Sequence, residues 1–171
     1  MTGVRIEVNT EQVLDVLQRL LAATGDLRPV LKNIGEYEAQ ATKDRIAKGV
    51  TPEGVPFAPL NPLYAATKKG PGILRGESGD LASIVYQLAE EDSVEIGNNA
   101  IHGAIHQFGG VIRPKNGPAL VFSLGGQTVF ASEVTIPARP YLGVSDDDER
   151  EILAIIADYL DEASGSVLDR N

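Results

Sequence analysis

Cysteine is absent from the 171 residues of this chain. Disulfides, thiolate metal sites and cysteine nucleophiles are therefore excluded. Aromatic residues are scarce, at 5% of the chain, so any core must be mainly aliphatic. No apolar run approaches the roughly 18 residues that a membrane-spanning helix needs, and the first residues lack the basic flank and apolar run of a signal peptide. Neither secretion nor membrane insertion is indicated.

The remaining composition is typical of a folded domain. Hydrophobic residues make up 43% and charged residues 23% of the chain, which is near globular averages. A domain of this size buries roughly 70% of the surface that its unfolded chain exposes. We predict one domain over residues 1–163 and a flexible tail over residues 164–171.

Charge is unevenly spread along the chain. The formal net charge is −9, yet residues 28–75 hold eight basic and four acidic side chains, so this segment carries +4 and the remainder −13. An acidic protein is a poor candidate for a DNA-binding regulator, since affinity for nucleic acid comes largely from neutralising phosphates. The two oppositely charged regions either steer neighbouring subunits head to tail or are both simply solvated.

Hydrophobic periodicity predicts an α+β fold, with a small, mostly antiparallel sheet and helices packed on one side. Ser145 is expected to cap the last helix, where Asp146, Asp147 and Asp148 suit the helix dipole without any metal. The other predicted elements are strands at 4–8, 84–89 and 94–96, helices at 10–25, 27–48 and 98–107, and a hairpin of 119–124 with 128–134.

Residues 50–76 form a long loop that is rich in proline and glycine and has room for one short helix, near 62–69. Loops of this length in compact domains are usually functional or mobile. The loop carries the basic pair Lys68-Lys69 and the apolar side chains of Phe57, Leu60 and Tyr64. We expect it either to become ordered against a partner or to pack on its own domain.

The two histidines are the main candidates for catalysis. His102 and His106 are four residues apart, the spacing of two zinc ligands on a helix. The residues between them lack the glutamate of a metalloprotease helix, and no third ligand with suitable spacing follows. A structural His106 is the preferred interpretation, and no cofactor or metal is expected. A cell-wall or virion-precursor hydrolase that uses both histidines is the alternative function.

Arg139 stands between Pro137 and Pro140, which stiffen the backbone in an extended form. Its guanidinium is therefore presented at a defined place, where a bidentate pair with a partner's carboxylate is one possibility. An ion pair within its own subunit is the other.

Two motifs stand out as a pair, Ala104-Ile105-His106-Gln107-Phe108-Gly109-Gly110 and Ile136-Pro137-Ala138-Arg139-Pro140-Tyr141-Leu142-Gly143. Four shorter fragments precede them along the chain: Gly54-Val55-Pro56-Phe57-Ala58-Pro59-Leu60, Ile73-Leu74-Arg75, Ser78-Gly79-Asp80-Leu81 and Val94-Glu95-Ile96-Gly97. As a set they resemble the virion morphogenesis proteins of Mu-like phages, a family related to tail completion proteins.

That resemblance implies a non-enzymatic structural protein that completes or terminates the phage tail and joins it to the head or neck. It implies a ring, expected to hold six copies, that binds tail tube protein on one side and a neck or connector protein on the other. DNA would be only passing cargo, and the protein would reside in the virion after assembly in the host cytoplasm. The residues expected at subunit or partner interfaces are Lys43, Arg45, Lys48, Phe57, Leu60, Tyr64, Lys68, Lys69, Phe122, Phe130 and Arg139.

Overall fold

A computed structural model of the chain describes residues 26–76, 78–89 and 93–168, and before them positions 11, 13, 15 and 18, which are helical. Side chains are described as far as residue 162. The chain divides into two compact units. We call Lys43–Ser83 with Asn98–Leu142 the loop unit. We call Arg5–Thr42 with Ile84–Gly97 and Gly143–Asn171 the helical unit, as far as the structure describes them.

Helices and short strands alternate along the described chain. The helices are α1 (Arg28–Lys48), α2 (Pro62–Thr67), α3 (Gly103–Phe108) and α4 (Asp146–Leu168), and Asp80–Ala82 forms a 3-10 turn. The strands are β1 (Val85–Ala89), β2 (Ser93–Gly97), β3 (Gly110–Ile112), β4 (Leu120–Leu124), β5 (Gln127–Ala131) and β6 (Val134–Ile136). Among the described residues these strands pair as three two-stranded antiparallel sheets, β1 with β2, β3 with β6 and β4 with β5. The predicted α+β class is confirmed.

The core of the helical unit is an aliphatic cluster built from one stripe of α1 and one of α4, with apolar positions three and four residues apart. Gly35 lets the β1–β2 hairpin approach α1, because a Cβ there would lie 2.6 Å from the Tyr86 ring and 2.9 Å from Val94 Cγ2. The buried members of the cluster are Leu27, Val30, Leu31, Ile34, Ile152 and Ile156.

The first turn of α4 is connected to α1 through the carboxylate of Asp148. Ser145 Oγ accepts from Asp148 N at 3.1 Å, and Asp148 Oδ2 accepts from Ser145 N at 2.8 Å, which is the reciprocal pattern of a capping box. The other carboxylate oxygen accepts from the Tyr37 hydroxyl at 3.0 Å. Burial and the bond to Asp148 raise the pKa of Tyr37. The predicted cap is confirmed, and the helix continues to Leu168, past the predicted start of the tail.

Glycines at positive φ shape the loop unit. α1 ends at Gly49, whose φ of 76° is the left-handed conformation that ends many helices. The β4–β5 hairpin closes through Gly125 and Gly126, with φ of 60° and 81°, directly between the paired residues Leu124 and Gln127. A two-residue hairpin loop with both φ values positive strongly favours glycine. The helix end and the hairpin agree with their sequence-based predictions.

Two predicted elements differ from the structure, and other predicted segments lie outside the residues that it describes. Residues 128–134 do not form one strand, since β5 ends at Ala131 and Val134 belongs to β6, which pairs with β3. The short helix predicted at 98–107 begins later, at Gly103, because the Asn98 side chain is used in tertiary hydrogen bonds. The predicted strand at 4–8 and the connection at 90–92 lie outside the described residues.

Candidate assembly surface

Gln107 joins the two sequence motifs. Its side chain is buried on α3. Its Oε1 accepts from the backbone N–H of Tyr141 at 3.0 Å and of Leu142 at 3.1 Å, and its Nε2 donates to the Leu142 carbonyl at 3.0 Å. One amide therefore pairs three backbone groups, which matters because a buried polar group without a partner is costly.

Arg139 connects the same segment to the long loop. Its buried guanidinium donates from Nε to the Ala58 carbonyl at 2.7 Å and from Nη2 to the Pro59 carbonyl at 2.9 Å. Its backbone N–H donates to the His106 carbonyl at 2.7 Å. Burial lowers the pKa of Arg139. The acceptors are carbonyls of its own chain, so the structure favours the intrachain role and replaces the expected carboxylate with two carbonyls.

Tyr141 is fully buried and lies in a second group of hydrogen bonds. Asn98 Nδ2 donates to the Tyr141 hydroxyl at 3.2 Å and to the Leu81 carbonyl at 3.0 Å. Arg45 Nη1 reaches the Tyr141 carbonyl at 3.4 Å. Desolvation raises the pKa of Tyr141. We call the five buried side chains that make these bonds the polar clamp: Arg45, Asn98, Gln107, Arg139 and Tyr141.

Gly109 allows the two motifs to approach each other closely. Its φ is 69°, and a Cβ would lie 2.7 Å from the backbone nitrogen of Ala138 and 3.0 Å from the carbonyl oxygen of Ile136. Since neither backbone atom can move away easily, a larger residue would separate α3 from the segment that carries Arg139. The two motifs therefore pack closely against each other, and Arg139 in the second motif bonds the long loop.

The short helix α2 within the long loop is exposed. Every residue of α2 is exposed, including Leu63 at 59% and Tyr64 at 43%. Lys68 Nζ donates to the carbonyls of Gly70 at 2.9 Å and Arg75 at 2.5 Å, which closes the turn that follows the helix. Lys68 therefore stabilises the conformation of the loop through these hydrogen bonds.

The β4–β5 hairpin has two unlike faces because side chains alternate along a strand. Phe122 and its cross-strand neighbour Val129 are half-buried on one face. Val121 and its neighbour Phe130 lie on the other, where they are 61% and 71% exposed. We call this exposed face, formed by Val121, Ser123, Thr128 and Phe130, the apolar face. The hairpin turn lies beside α2, since a Cβ on Gly125 would be 3.4 Å from Leu63 Cβ.

The residues predicted at interfaces fall into three groups. Arg45, Phe57 and Arg139 are buried in the single chain. Four side chains are half-buried, namely Lys43, Leu60, Lys68 and Phe122. Four are exposed, namely Lys48, Tyr64, Lys69 and Phe130.

The two histidines lie beside each other. The rings of His102 and His106 are 5.7 Å apart and nearly perpendicular. The pKa of His106 is lowered, chiefly by burial and then by the charges of His102 and Arg139. Its buried Nδ1 has no hydrogen-bond partner among the residues that the structure describes. In the described part of the chain no three His, Cys, Asp or Glu side chains are grouped as metal ligands. Among Asp146, Asp147 and Asp148, the last is the buried residue of the helix cap.

The model of the phage virion morphogenesis family matches residues 8–161. The chain belongs to this family. The match covers the polar clamp, the long loop and the hairpin, so the resemblance inferred from the motifs is confirmed.

One similar protein is Mu-like prophage FluMu G protein 2 of Haemophilus influenzae. It is 27% identical over 165 residues, which cover 91% of this chain and 95% of that protein.

No solved structure matches the chain. Within the described residues, no helix is long and apolar enough to cross a membrane. Family membership supports a role in phage virion assembly and association with the virion.

Sequence reasoning missed Gln107 as the central residue of the clamp. A signal for it was present, because a glutamine between Ile105 and Phe108 on a short helix is a polar side chain among apolar neighbours. Its burial depends on Tyr141, which is distant in sequence, and no local pattern indicates that contact.

Proposed function

We propose that the protein completes the phage tail as a ring at the head-proximal end of the tail tube. Six copies form the ring, which binds tail tube protein on one side and a neck or connector protein on the other. The chain acts by association and not by catalysis. It is assembled in the host cytoplasm before it enters the virion.

The observation that carries this proposal is the concentration of exposed apolar side chains in the loop unit. Exposed apolar surface with polar surroundings marks interaction sites. Among the described residues, ten large hydrophobic side chains are exposed, and Val85 is the one in the helical unit. The nine in the loop unit are Val55, Leu63, Tyr64, Ile101, Phe108, Val111, Ile112, Val121 and Phe130.

The polar clamp stabilises the loop unit, which carries these exposed apolar side chains. Arg139 bonds the base of the loop at Ala58 and Pro59, and Gln107 on α3 bonds the neighbouring segment at Tyr141 and Leu142. These bonds hold the base of the loop in place while α2 stays exposed. The overall charge of −9 suits a ring around passing DNA, since acidic side chains release no counterions from phosphates and so do not bind the DNA.

Tail tube capping tests the proposal. Purified tail tube protein is polymerised with and without this protein, and tube ends are inspected by electron microscopy. We expect added density at one end of each tube and an arrest of elongation there. The variant Tyr64→Ser with Lys69→Glu, which alters exposed side chains on α2 and just after it, should cap poorly, while Val85→Ser should cap normally. Uncapped tubes that elongate equally with and without the protein would contradict the proposal.

A further inference from the structure

We propose that the apolar face of the β4–β5 hairpin docks into a groove on the helical unit of a second copy of this chain. The inference rests on the proposed ring and deepens it, since it names the two surfaces that join neighbouring copies. Three observations carry it: the exposure of the hairpin, the shape and chemistry of the groove, and the charges of the two units.

The hairpin presents an apolar pair that its own chain leaves uncovered. Val121 and Phe130 are cross-strand neighbours, 61% and 71% exposed. A two-stranded hairpin is marginally stable in water without packing on one face, and here the half-buried face around Phe122 already supplies that packing. The second apolar pair is therefore surplus to the fold, and buried aromatic side chains are the usual anchors of interfaces.

The groove lies on the surface of the helical unit between α1 and α4. It has a volume of about 210 Å³ and is lined by Asn33, Ile155, Asp158, Tyr159 and Glu162. Ile155 and Tyr159 also pack on the aliphatic core, so they provide a fixed apolar floor, and the exposed carboxylates of Asp158 and Glu162 provide an acidic rim. An apolar cavity of about 150 Å³ holds benzene, so this groove is large enough for the phenylalanine ring of a partner.

The charges of the units identify the occupant as a second copy. The loop unit contains nine basic and five acidic residues, a net charge of +4, which leaves −13 for the rest of the chain. A contact between two grooves brings the acidic rims of Asp158 and Glu162 together, and a contact between two hairpins gains no charge pairing, because residues 120–131 carry no charged side chain. A contact between the hairpin of one copy and the groove of the next brings opposite charges together, with the exposed Lys115 shortly before β4 available to the acidic rim. Such a head-to-tail contact is the kind that builds rings.

Disulfide crosslinking tests the contact directly, because the chain has no cysteine and each introduced thiol is unique. Thr128→Cys places a thiol on the apolar face, and Asn33→Cys places one in the groove. When the two purified variants are mixed at high concentration and oxidised, we expect a crosslinked dimer that contains one copy of each. Each variant alone should give no crosslinked dimer above background, and Thr128→Cys mixed with Val85→Cys should likewise crosslink only at background level.

Two further substitutions test the chemistry of the contact. Phe130→Ser, added to the Thr128→Cys chain, should reduce the yield of mixed dimer roughly tenfold, since it removes the apolar anchor. Ile101→Ser is the matched control, because Ile101 is 94% exposed in the same unit but lies outside the hairpin. Asp158→Lys with Glu162→Lys in the Asn33→Cys chain should also reduce the yield, and most strongly at low salt, where charges are least screened.

Two outcomes would overturn the proposal. Efficient crosslinking of Thr128→Cys with itself would show that hairpins meet each other. Background crosslinking in every mixture would show that the hairpin does not bind a second copy and is left for a different protein.

Neither crosslinking result decides whether the protein completes tails, because the crosslinking uses the free chain and the capping assay uses tail tubes. A capped tube without the mixed dimer refutes only the proposed contact, and the mixed dimer without capping refutes only the proposed function.

Discussion

The helical unit and the loop unit have interiors of different chemistry. In the helical unit, aliphatic stripes on α1 and α4 pack together, and the described polar bond between them joins Tyr37 to Asp148. The loop unit also buries apolar side chains such as Phe57 and Leu74, but its interior adds hydrogen bonds from Gln107, Arg139 and Asn98. Apolar burial is non-directional, whereas hydrogen bonds weaken steeply when their geometry departs from linear. The interior of the loop unit therefore carries a directional requirement as well as a packing one.

The surfaces of the two units differ in exposed apolar side chains and in charge. The loop unit exposes nine large apolar side chains, whereas Val85 is the one described in the rest of the chain. The loop unit carries a net charge of +4 and the rest of the chain −13. A unit that displays apolar surface cannot also use those side chains for its own core. The buried polar side chains of the clamp pair backbone groups inside the loop unit, while Val121 and Phe130 stay exposed on its surface.

The largest effect in this comparison is expected from Gln107→Leu. The substitution keeps the volume but leaves two N–H groups and one carbonyl without partners, at about 1–3 kcal/mol each, so a loss of about 4 kcal/mol in the free energy of unfolding is expected. Hydrogen exchange should report the loss in the amides of the loop unit. Gln87→Leu, on the exposed side of β1, is the control and should change little. A loss below about 0.5 kcal/mol for Gln107→Leu would mean that the clamp is dispensable.

A somewhat smaller effect is expected from Ile156→Ala in the helical unit. Ile156 is fully buried in the aliphatic cluster, and such truncations cost about 2–5 kcal/mol through lost transfer energy and the cavity that remains. We expect a loss of about 3 kcal/mol, seen by exchange of α1 and α4 amides. Ile155→Ala, at the half-buried neighbouring position, should cost clearly less. Equal losses at the two positions would contradict the assignment of the buried stripe.

The smallest expected effect is a dependence on pH confined to the loop unit, which holds both histidines of the chain. Burial lowers the pKa of His106, with help from His102 and Arg139. Below pH 6.5 the unfolded chain therefore binds a proton that the folded chain resists, and stability falls as the pH falls. Between pH 6.5 and 5.5 the loss should stay below about 1 kcal/mol.

His106→Gln checks this dependence. In that variant the loop unit should keep its amide protection from pH 6.5 to 5.5, whereas in the native chain protection declines there. The helical unit should behave alike in both proteins over this range, since it has no histidine. A decline that persists in His106→Gln would assign the acid sensitivity to another group.

The elements that were predicted well have local causes. The stripe of α1, the Ser145 cap and the Gly125-Gly126 turn each depend on residues within one or two turns of chain, and the structure contains all three. The pairing of β3 with β6 was not predicted, because β4 and β5 lie between them in sequence and no periodicity marks which strands will meet. A strand of three residues carries too little pattern to select a partner.

The residues predicted at interfaces differ in exposure, and their interface role stays a prediction. The hairpin and the long loop were recognised from their composition, and Phe130 and Tyr64 are exposed as an interface requires. Arg45 and Phe57 were placed on the same surface, but both are buried. An arginine on a helix is usually solvated, and local sequence gives no sign of the distant Tyr141 carbonyl that this buried one reaches.

The sequence by itself determined the classes of chemistry that are open to this protein, the separation of its charges and the local elements, because composition and short-range spacing act without knowledge of the fold. Only the tertiary structure decided which polar side chains became the clamp and which apolar ones stayed outside. Arg139 and Phe130 show the physical reason. A guanidinium is stable inside when backbone carbonyls 80 and 81 residues away receive it, and a phenyl ring stays exposed when the opposite face of its strand already provides the packing. Such compensation arises from residues that meet only after folding.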